Sequence, residues 1–393
     1  MRRRLYFSVS GIGLGHAGRS LKIAEKLAER GYYITFSTYG EAVKYVSRKF
    51  KCFSTFPITL GWRAIGGLSL RKTSKFILKS GFTTFTKQVV GELKIISKLN
   101  PLLVLSDSRG STILAAKIHS KPVLTITNQL AVYIPEQKTG KYFIKLVNML
   151  SPVILPKLWY ISDRVALMDL PPPYTISERN LKVKIDSSKV FFVGLVGENE
   201  DGSNVSDESI KPIKSLFKDP MKPLIYVSAT GPEKERLVFV EIMRKVLPCI
   251  QDYNFIFTLG NLSGSEKPRV SSNNIVEFNW FRDRWMLIKA ADLVISRAGR
   301  TTIDQCIMNL KPIIVIPSLR QTEQEENARR VEELGVGKNL SQKNISALSL
   351  KKIIREIFKD QFFFIENLKT LSKLSNKLGG VNKIVELALS LLS

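Results

Sequence analysis

The sequence predicts an α/β protein made of two doubly wound domains, each a mostly parallel sheet covered by helices, facing each other across a central cleft. Three observations carry that expectation. Short Leu-rich or β-branched runs alternate with stretches of helical periodicity along nearly the whole chain. The strand runs are apolar throughout, as strands buried on both faces require. Three prolines at 171–173 then interrupt the alternation, and a second alternating series follows them.

In the first series, 5–10 reads as a strand and 19–30 as a helix. Leu21, Ile23, Ala24, Leu27 and Ala28 fall at helical spacing there, and Gly31 is placed to cap the end. A strand at 33–38 and a helix at 41–49 follow. Strands at 102–106 and 123–127 bracket a helix at 111–119. The second series has strands at 190–193, 224–228, 254–259, 275–278, 293–296 and 313–316, with an acidic surface loop at 197–207. The expected division is a first domain over 1–168, a linker over 169–186, a second domain over 187–370, and a helix over 371–393 that is a candidate to fold back on the first domain. Ligands of such sheets bind at the carboxyl ends of the strands, so the loops there are the default site.

Composition narrows the function. At 393 residues, 44% apolar and 24% charged, the chain has enough apolar material for sizeable cores, which excludes wholesale disorder. The net charge is +26 and is unevenly spread: residues 1–165 carry 27 basic and 7 acidic side chains, net +20, and the remainder only +6. A field of that size attracts phosphorylated substrates, an anionic membrane surface or nucleic acid. Three scattered cysteines (Cys52, Cys249, Cys306) fit a reducing compartment rather than a disulfide scaffold. Two histidines exclude His-rich metal chemistry. The most apolar long stretch, 143–161, is broken by Lys145, Pro152, Pro156 and Lys157 and does not read as a membrane span. Arg2-Arg3-Arg4 resembles the start of a signal peptide, but the apolar run behind it covers only 5–9.

Two motifs carry chemistry. The first is Gly11-Ile-Gly13-Leu-Gly15-His16-Ala-Gly18-Arg19, directly after a strand and opening a helix. Glycines allow a tight turn and close backbone approach, and a helix start offers free N–H groups to an anion. A dinucleotide fingerprint would need glycine where His16 stands, and a phosphate loop of the GxxxxGK[ST] type would need lysine where Arg19 stands. What remains is a ligand-facing loop with His16 as its titratable group, or a histidine that merely caps or packs. The second motif is Ser296-Arg-Ala-Gly299-Arg300-Thr-Thr302-Ile-Asp304-Gln305, followed by Gln321-Thr-Glu323-Gln324-Glu-Glu-Asn327-Ala328. Gly299 and Thr302 are placed to offer N–H and hydroxyl donors to phosphate, and Gln and Asn amides suit sugar hydroxyls.

Together with Asp107-Ser-Arg109, Thr127-Asn128-Gln129 and Pro171-Pro-Pro-Tyr-Thr-Ile176, these motifs resemble the MurG-like branch of GT-B glycosyltransferases, and more narrowly an archaeal-looking group of them. The resemblance covers most of the chain and is thin over 55–100 and 131–170. It implies the two-domain GT-B fold and transfer of a sugar, N-acetylglucosamine above all, from a UDP-sugar. It implies an acceptor side at Gly13, Gly15, Arg19 and Asn128, with His16 and Asp107 at the reacting centre. The donor side it implies comprises Ser228, Thr230 and Gly231 as a second glycine-type phosphate loop, Phe278 and Asn279 reading the base, and Gly299, Arg300 and Thr302 on diphosphate and ribose. Glu323, Gln324 and Asn327 then contact the sugar. The ribose-binding glutamate of the family is replaced here by Gln305, with Asp304 the adjacent acid.

The expected mechanism is direct displacement with inversion, His16 taking the acceptor hydroxyl proton and Asp107 orienting it or serving as base instead. No DxD motif is present, so no metal site and no cofactor beyond the UDP-sugar co-substrate are expected. The acceptor is expected to be lipid-linked or otherwise phosphorylated, at the membrane surface, with a lipid phosphate as the main expectation. Residues 60–100 carry Arg63, Arg71, Lys72, Lys75, Lys79, Lys87, Lys94 and Lys98 among Trp62, Phe76, Ile77, Phe82 and Phe85, and 141–160 add Tyr142, Phe143, Trp159 and Tyr160 with three lysines. Basic stems beside aromatic anchors suit an anionic bilayer. The expected placement is cytoplasmic, peripheral to the inner face of the cell membrane. Nucleic acid is not expected, since no recognisable module for it is present. The oligomeric state is left open. A UDP-sugar 2-epimerase of the same fold and a non-catalytic nucleotide-sugar-binding protein are the competing readings.

Overall fold

The computed structural model describes residues 3–58, 80–134, 141–197 and 211–392. The chain divides into two compact units. Of the described residues, the first holds 3–58, 80–134, 141–196 and 375–392, and the second holds 197 and 211–374.

The first unit runs β1 (Arg4–Val9), α1 (Gly15–Glu29), β2 (Tyr33–Thr38), α2 (Glu41–Val46), β3 (Lys51–Ser54), α3 (Phe82–Leu99), β4 (Leu103–Asp107), α4 (Gly110–Ile118), β5 (Val123–Thr127), α5 (Lys141–Trp159), β6 (Arg164–Leu167) and β7 (Val190–Phe192). Its strands lie in the order β3-β2-β1-β4-β5-β6-β7, all parallel. Apolar runs such as Leu103–Asp107 and Val123–Thr127 are buried along their whole length. Leu5, Phe7, Leu105, Leu124 and Ile126 pack with α1 residues Ile23, Ala24 and Leu27. Burying each side chain of that size contributes roughly 1.5–3 kcal/mol against exposure. Strand order reverses between β1 and β4, whose register sets Val9 beside Asp107. That reversal opens the crevice in which sheets of this kind hold ligands.

The second unit runs α6 (Lys211–Lys214), β8 (Leu224–Ser228), α7 (Glu233–Val246), β9 (Asn254–Thr258), β10 (Arg269–Ser272), β11 (Ile275–Phe278), α8 (Arg284–Ala290), β12 (Leu293–Ser296), α9 (Arg300–Met308), β13 (Ile313–Val315), α10 (Thr322–Glu333), β14 (Gly337–Asn339), α11 (Ala347–Lys359) and α12 (Gln361–Leu378). The order is β10-β11-β9-β8-β12-β13-β14, parallel except for the β10–β11 edge pair. Here the reversal falls between β8 and β12, with Ser228 beside Ser296. The last helix, α13 (Gly380–Leu389), follows a left-handed Gly379 (φ 91°) and belongs to the first unit. Its Val381, Ile384, Val385, Leu387 and Ala388 join the core that α1 covers.

Two sequence expectations need correction. Residues 169–186 are not a linker, and the second domain does not start at 187. Asp169 is buried and accepts the N–H groups of Leu170, Ile176 and Ser177 at 2.8–2.9 Å, which folds the proline stretch onto the first unit. Strand β7 pairs with β6 and completes the first sheet. The first helix also starts at Gly15 rather than at 19, so Gly15, His16 and Gly18 form its opening turns. Helix propensity scales penalise glycine in a helix interior, and the first turn bears that cost least. The loop expected at 197–207 and the basic segment from Trp62 to Lys79 lie outside the described residues, apart from Gly197.

Candidate functional site

At the first crevice the glycine run is dictated by space. A Cβ on Gly11 would sit 2.1 Å from the Tyr39 carbonyl oxygen, so only glycine passes. Gly13 adopts φ 74°, the left-handed region that favours glycine. The chain then enters α1, whose start has no side-chain cap and no acidic residue in its first turn. Its N–H groups stay free for an anion.

His16, in that first turn, meets Asp107 at the end of β4: Nδ1 lies 2.8 Å from Oδ1. Arg19, one turn along, donates through Nε to Oδ2 at 2.7 Å and through its terminal nitrogen to Oδ1 at 2.5 Å. Ser20 adds a hydroxyl bond to Oδ2 at 2.9 Å. Burial would raise the Asp107 carboxyl, but Arg19 above all, with His16 when it is protonated, outweighs it and holds the group well below the usual carboxylate range. The same Arg19 nitrogen also stands 2.8 Å from His16 Nδ1. Arginine only donates and the carboxylate only accepts, so Nδ1 faces one of each, and with the proton on Nε2 it would accept from Arg19. With the proton on Nδ1, both nitrogens donate to the shared carboxylate oxygen. The negative charge of the buried carboxylate favours the Nδ1–H form, which leaves the lone pair on Nε2. His16 retains 22% of its side-chain surface while Asp107 is fully buried. The pair is thus a carboxylate-anchored imidazole on a partly exposed side chain.

Arg19 and Asn128 were expected on the acceptor side. Instead both are buried: the Arg19 guanidinium clamps Asp107, and Asn128 Oδ1 accepts from it at 3.4 Å. Gly13 and Gly15 lie beside His16 at the start of α1. Arg109 turns away from this site, because Ser108 has φ 57° and reverses the chain. It pairs with fully buried Glu92 at 2.8 Å, which also accepts from Tyr6 at 2.6 Å and Ser37 at 3.0 Å. The second histidine is structural: His119 Nε2–H donates to the Leu93 carbonyl at 3.1 Å.

The second crevice assembles the donor candidates. Ser296 donates to the Ser228 carbonyl at 3.0 Å, joining the ends of β12 and β8. Gly231 adopts φ 99°, and Thr230 Oγ1 lies 3.8 Å from where a Cβ on Gly299 would sit. Gly299 is the N-cap of α9, again without a side-chain cap, and Thr302 is buried in its first turn. Asn327 donates to the Ala298 carbonyl at 3.0 Å, while its Oδ1 has no partner. Gln305 is 1% exposed and neither amide atom has a hydrogen-bond partner in the chain. Leaving such buried groups unmet costs about 1–3 kcal/mol each, which a hydroxyl-rich ligand would recover. Gln324 Oε1 accepts the Ser318 N–H at 2.8 Å. Glu323 is half-buried in the first turn of α10. Phe278 closes β11, and its carbonyl and that of Asn279 accept from Leu259 and Asn261.

One expectation changes here too. Arg300 was to lend charge to a diphosphate, but Asp304, four residues on, holds its Nε at 2.6 Å in a buried ion pair. What remains at this helix start is the set of N–H groups. Sequence reasoning missed two buried charges beside them, Glu235 and Arg297. Arg297 lies between the Ile316 carbonyl and Gln342, above the Phe239 ring, and burial pulls it down to about 10 against the opposing charge of Glu235. Its position one residue after β12 was the available signal. Among the described residues, no group of three or more His, Cys, Asp or Glu is placed to hold a metal ion.

Residues 234–379 match the glycosyltransferase family 28 C-terminal domain, and residues 3–148 match the domain described as glycosyl transferase family 1. A Methanosarcina acetivorans protein described as an uncharacterized glycosyltransferase is 28% identical over 393 residues, covering 98% of this chain and 97% of its own. The Streptococcus mutans UDP-N-acetylglucosamine–N-acetylmuramyl-(pentapeptide) pyrophosphoryl-undecaprenol N-acetylglucosamine transferase is 25% identical over 220 residues, covering 54% of this chain and 58% of its own. In fold, the crystal structure of the calicheamicin glycosyltransferase superposes on the whole chain with a TM-score of 0.67 at 16% identity, covering 99% of that protein. The chain is a glycosyltransferase of the GT-B fold.

Proposed function

We propose that this chain is an inverting hexosyltransferase that moves N-acetylglucosamine from a UDP-sugar to an acceptor carried on a lipid phosphate. The observation that carries the reading is the anchored His16: its Nδ1 lies 2.8 Å from a buried carboxylate while its side chain stays partly exposed, and in the Nδ1–H form Nε2 is the nitrogen that accepts a proton. In the reaction, the acceptor hydroxyl gives its proton to Nε2 as its oxygen attacks the anomeric carbon. The bond to the diphosphate breaks on the opposite face, which inverts the centre. Asp107 stabilises the imidazolium that forms. The departing UDP leaves its charge on the N–H groups that open α7 and α9. No cofactor or metal enters this reading, so transfer is expected to survive chelation with EDTA. The unmet amides of Gln305 and Asn327 support a hydroxyl-rich donor, and the sugar named for the Streptococcus mutans relative supports UDP-N-acetylglucosamine.

The lipid side of the proposal rests on α5. Tyr142, Leu146, Met149, Leu150, Val153 and Ile154 form an exposed apolar stripe at helical spacing. Lys141, Lys145 and Lys157 flank it, and the helix has no acidic residue. Trp159 and Tyr160, expected as anchors, are used inward: Trp159 is 7% exposed in the core and the Tyr160 hydroxyl donates to the Lys184 carbonyl. Among the described residues no helix is long and apolar enough to cross a membrane. The proposed placement is peripheral, on the inner face of the cell membrane. The test is product analysis with UDP-N-acetylglucosamine and a polyprenyl-phosphate-linked acceptor. Transfer with inverted configuration supports the reading. Free epimerised UDP-sugar without acceptor would replace it with an epimerase, and UDP binding without any turnover would leave a sensor.

A further inference from the structure

The second unit holds a buried carboxylate that the donor chemistry above leaves unused, and the inference drawn from it rests on that donor assignment. Glu235 stands in the first turn of α7 with no exposed surface. Its Oε2 lies 3.4 Å from where a Cβ on Gly231 would sit, and accepts from Gln324 Nε2 at 3.4 Å. Its Oε1 has no partner within 3.5 Å, although the Ser318 hydroxyl acts on the carboxyl and favours its charged form. The carboxyl thus accepts from α10 and lines the space beside Gly231, next to two of the elements assigned to the donor.

The charged groups facing it are few. Arg297, from the turn after β12, donates to the Glu235 backbone carbonyl at 3.2 Å rather than to the carboxyl. Glu323, on α10, adds negative charge. On its own helix Arg236 lies against Gly260, and Glu233 and Lys234 are exposed. Burial pushes the Glu235 carboxyl up to about 6 against the pull of Arg297. A nucleotide diphosphate held by the same loop brings further negative charge into this confined space. Like charges that share a water-poor site do not both stay ionised, and the weaker acid takes a proton.

We propose that Glu235 is a donor-site residue, and that binding of a nucleotide diphosphate there is coupled to uptake of one proton from solvent by the Glu235 carboxyl. The protonated carboxyl is a hydrogen-bond donor in place of a second negative charge. Donor affinity then rises as pH falls, and local acidity regulates loading of the enzyme.

Calorimetric titration of the full chain with UDP-N-acetylglucosamine, in buffers of different ionisation enthalpy, decides the matter. That probe is esterified at both ends of its diphosphate, so it does not titrate near pH 6 as the terminal phosphate of free UDP does. Wild type is expected to take up close to one proton per nucleotide above about pH 6.5, and to weaken ~50-fold between about pH 6 and 8 if only the protonated form binds. Glu235→Gln should take up none, bind with little pH dependence, and bind tighter than wild type at the alkaline end. His16→Ala should keep the wild-type slope. Absence of proton uptake in wild type, which needs no variant, overturns the inference, as does an unchanged slope in Glu235→Gln. Failure of the probe to bind at any pH removes the donor assignment itself, and the inference with it.

Discussion

Asp107→Asn probes the fold and the chemistry of the first unit at once. The carboxylate accepts from His16 and Arg19 on Oδ1, and from Arg19 and Ser20 on Oδ2. An asparagine amide must put its NH2 at one of those positions. At Oδ1 it would meet two donors; at Oδ2 it meets the Arg19 Nε donor, while the Ser20 hydroxyl can turn and accept. The second orientation wins. It keeps His16 in its tautomer but leaves a buried guanidinium without its counter-charge, which costs about 3–5 kcal/mol. The imidazolium formed in the reaction also loses its stabilising charge, so turnover should fall by roughly 10²–10⁴. The low-lying Asp107 carboxyl adds a pH signature. Its folded value lies below the unfolded one of about 3.9, so its stabilisation is full above that pH and drains away as pH falls below it. Urea unfolding at neutral and acidic pH, with steady-state turnover and donor titration on the same samples, measures all of this. The variant should be less stable at neutral pH, should lose part of the acid slope, and should keep its donor affinity. Wild-type stability and turnover together would refute the role given to this cluster.

His16→Ala should leave UDP affinity within about twofold and lower turnover ~10²–10⁴-fold, so a loss of UDP binding measured by titration would move His16 into the donor site. Gly299→Asp puts a carboxylate where diphosphate is assigned and should abolish UDP-sugar binding in a thermal-shift assay; retained affinity means that the site lies elsewhere. Glu235→Gln should stabilise the chain by ~1–2 kcal/mol above about pH 6, because a raised carboxyl lowers stability as pH climbs from its unfolded value to its folded one; pH-resolved unfolding reads this directly. Replacing Lys141, Lys145 and Lys157 by Gln should weaken co-sedimentation with anionic vesicles by about 1 kcal/mol per residue, and equal pelleting would leave α5 without a membrane role.

The alternation of buried strands and helices was legible because both sheets are parallel apart from the β10–β11 edge pair, so their inner strands are buried along their length. Glycine spacing likewise marked both crevices, since Gly11 and Gly231 answer to space and backbone geometry that no other residue meets. The domain boundary was not legible. Prolines normally end an element, but whether the chain leaves a domain there depends on Asp169 gathering three N–H groups, a tertiary fact. Arg19 was misplaced for a similar reason. A basic residue beside a ligand loop suggests substrate, and only the end of β4, 88 residues away, shows that its charge is spent on Asp107. Glu235 left no trace in the sequence because a glutamate in the first turn of a helix is an ordinary cap; its isolation comes from what packs above it.

The return of α13 to the first unit governs how this chain is made. Residues 3–196 emerge first from the ribosome, yet five apolar side chains of their core reside at 381–388, and the Leu195 N–H finds its acceptor in Ser375 Oγ. Domains otherwise fold in order of synthesis. Here the second unit, contiguous from 211 to 374, can close while the first still lacks its final helix. The amino-terminal half waits, incomplete, until 381–388 have been made, and a chain cut before them would carry a finished second unit tethered to an unfinished first one.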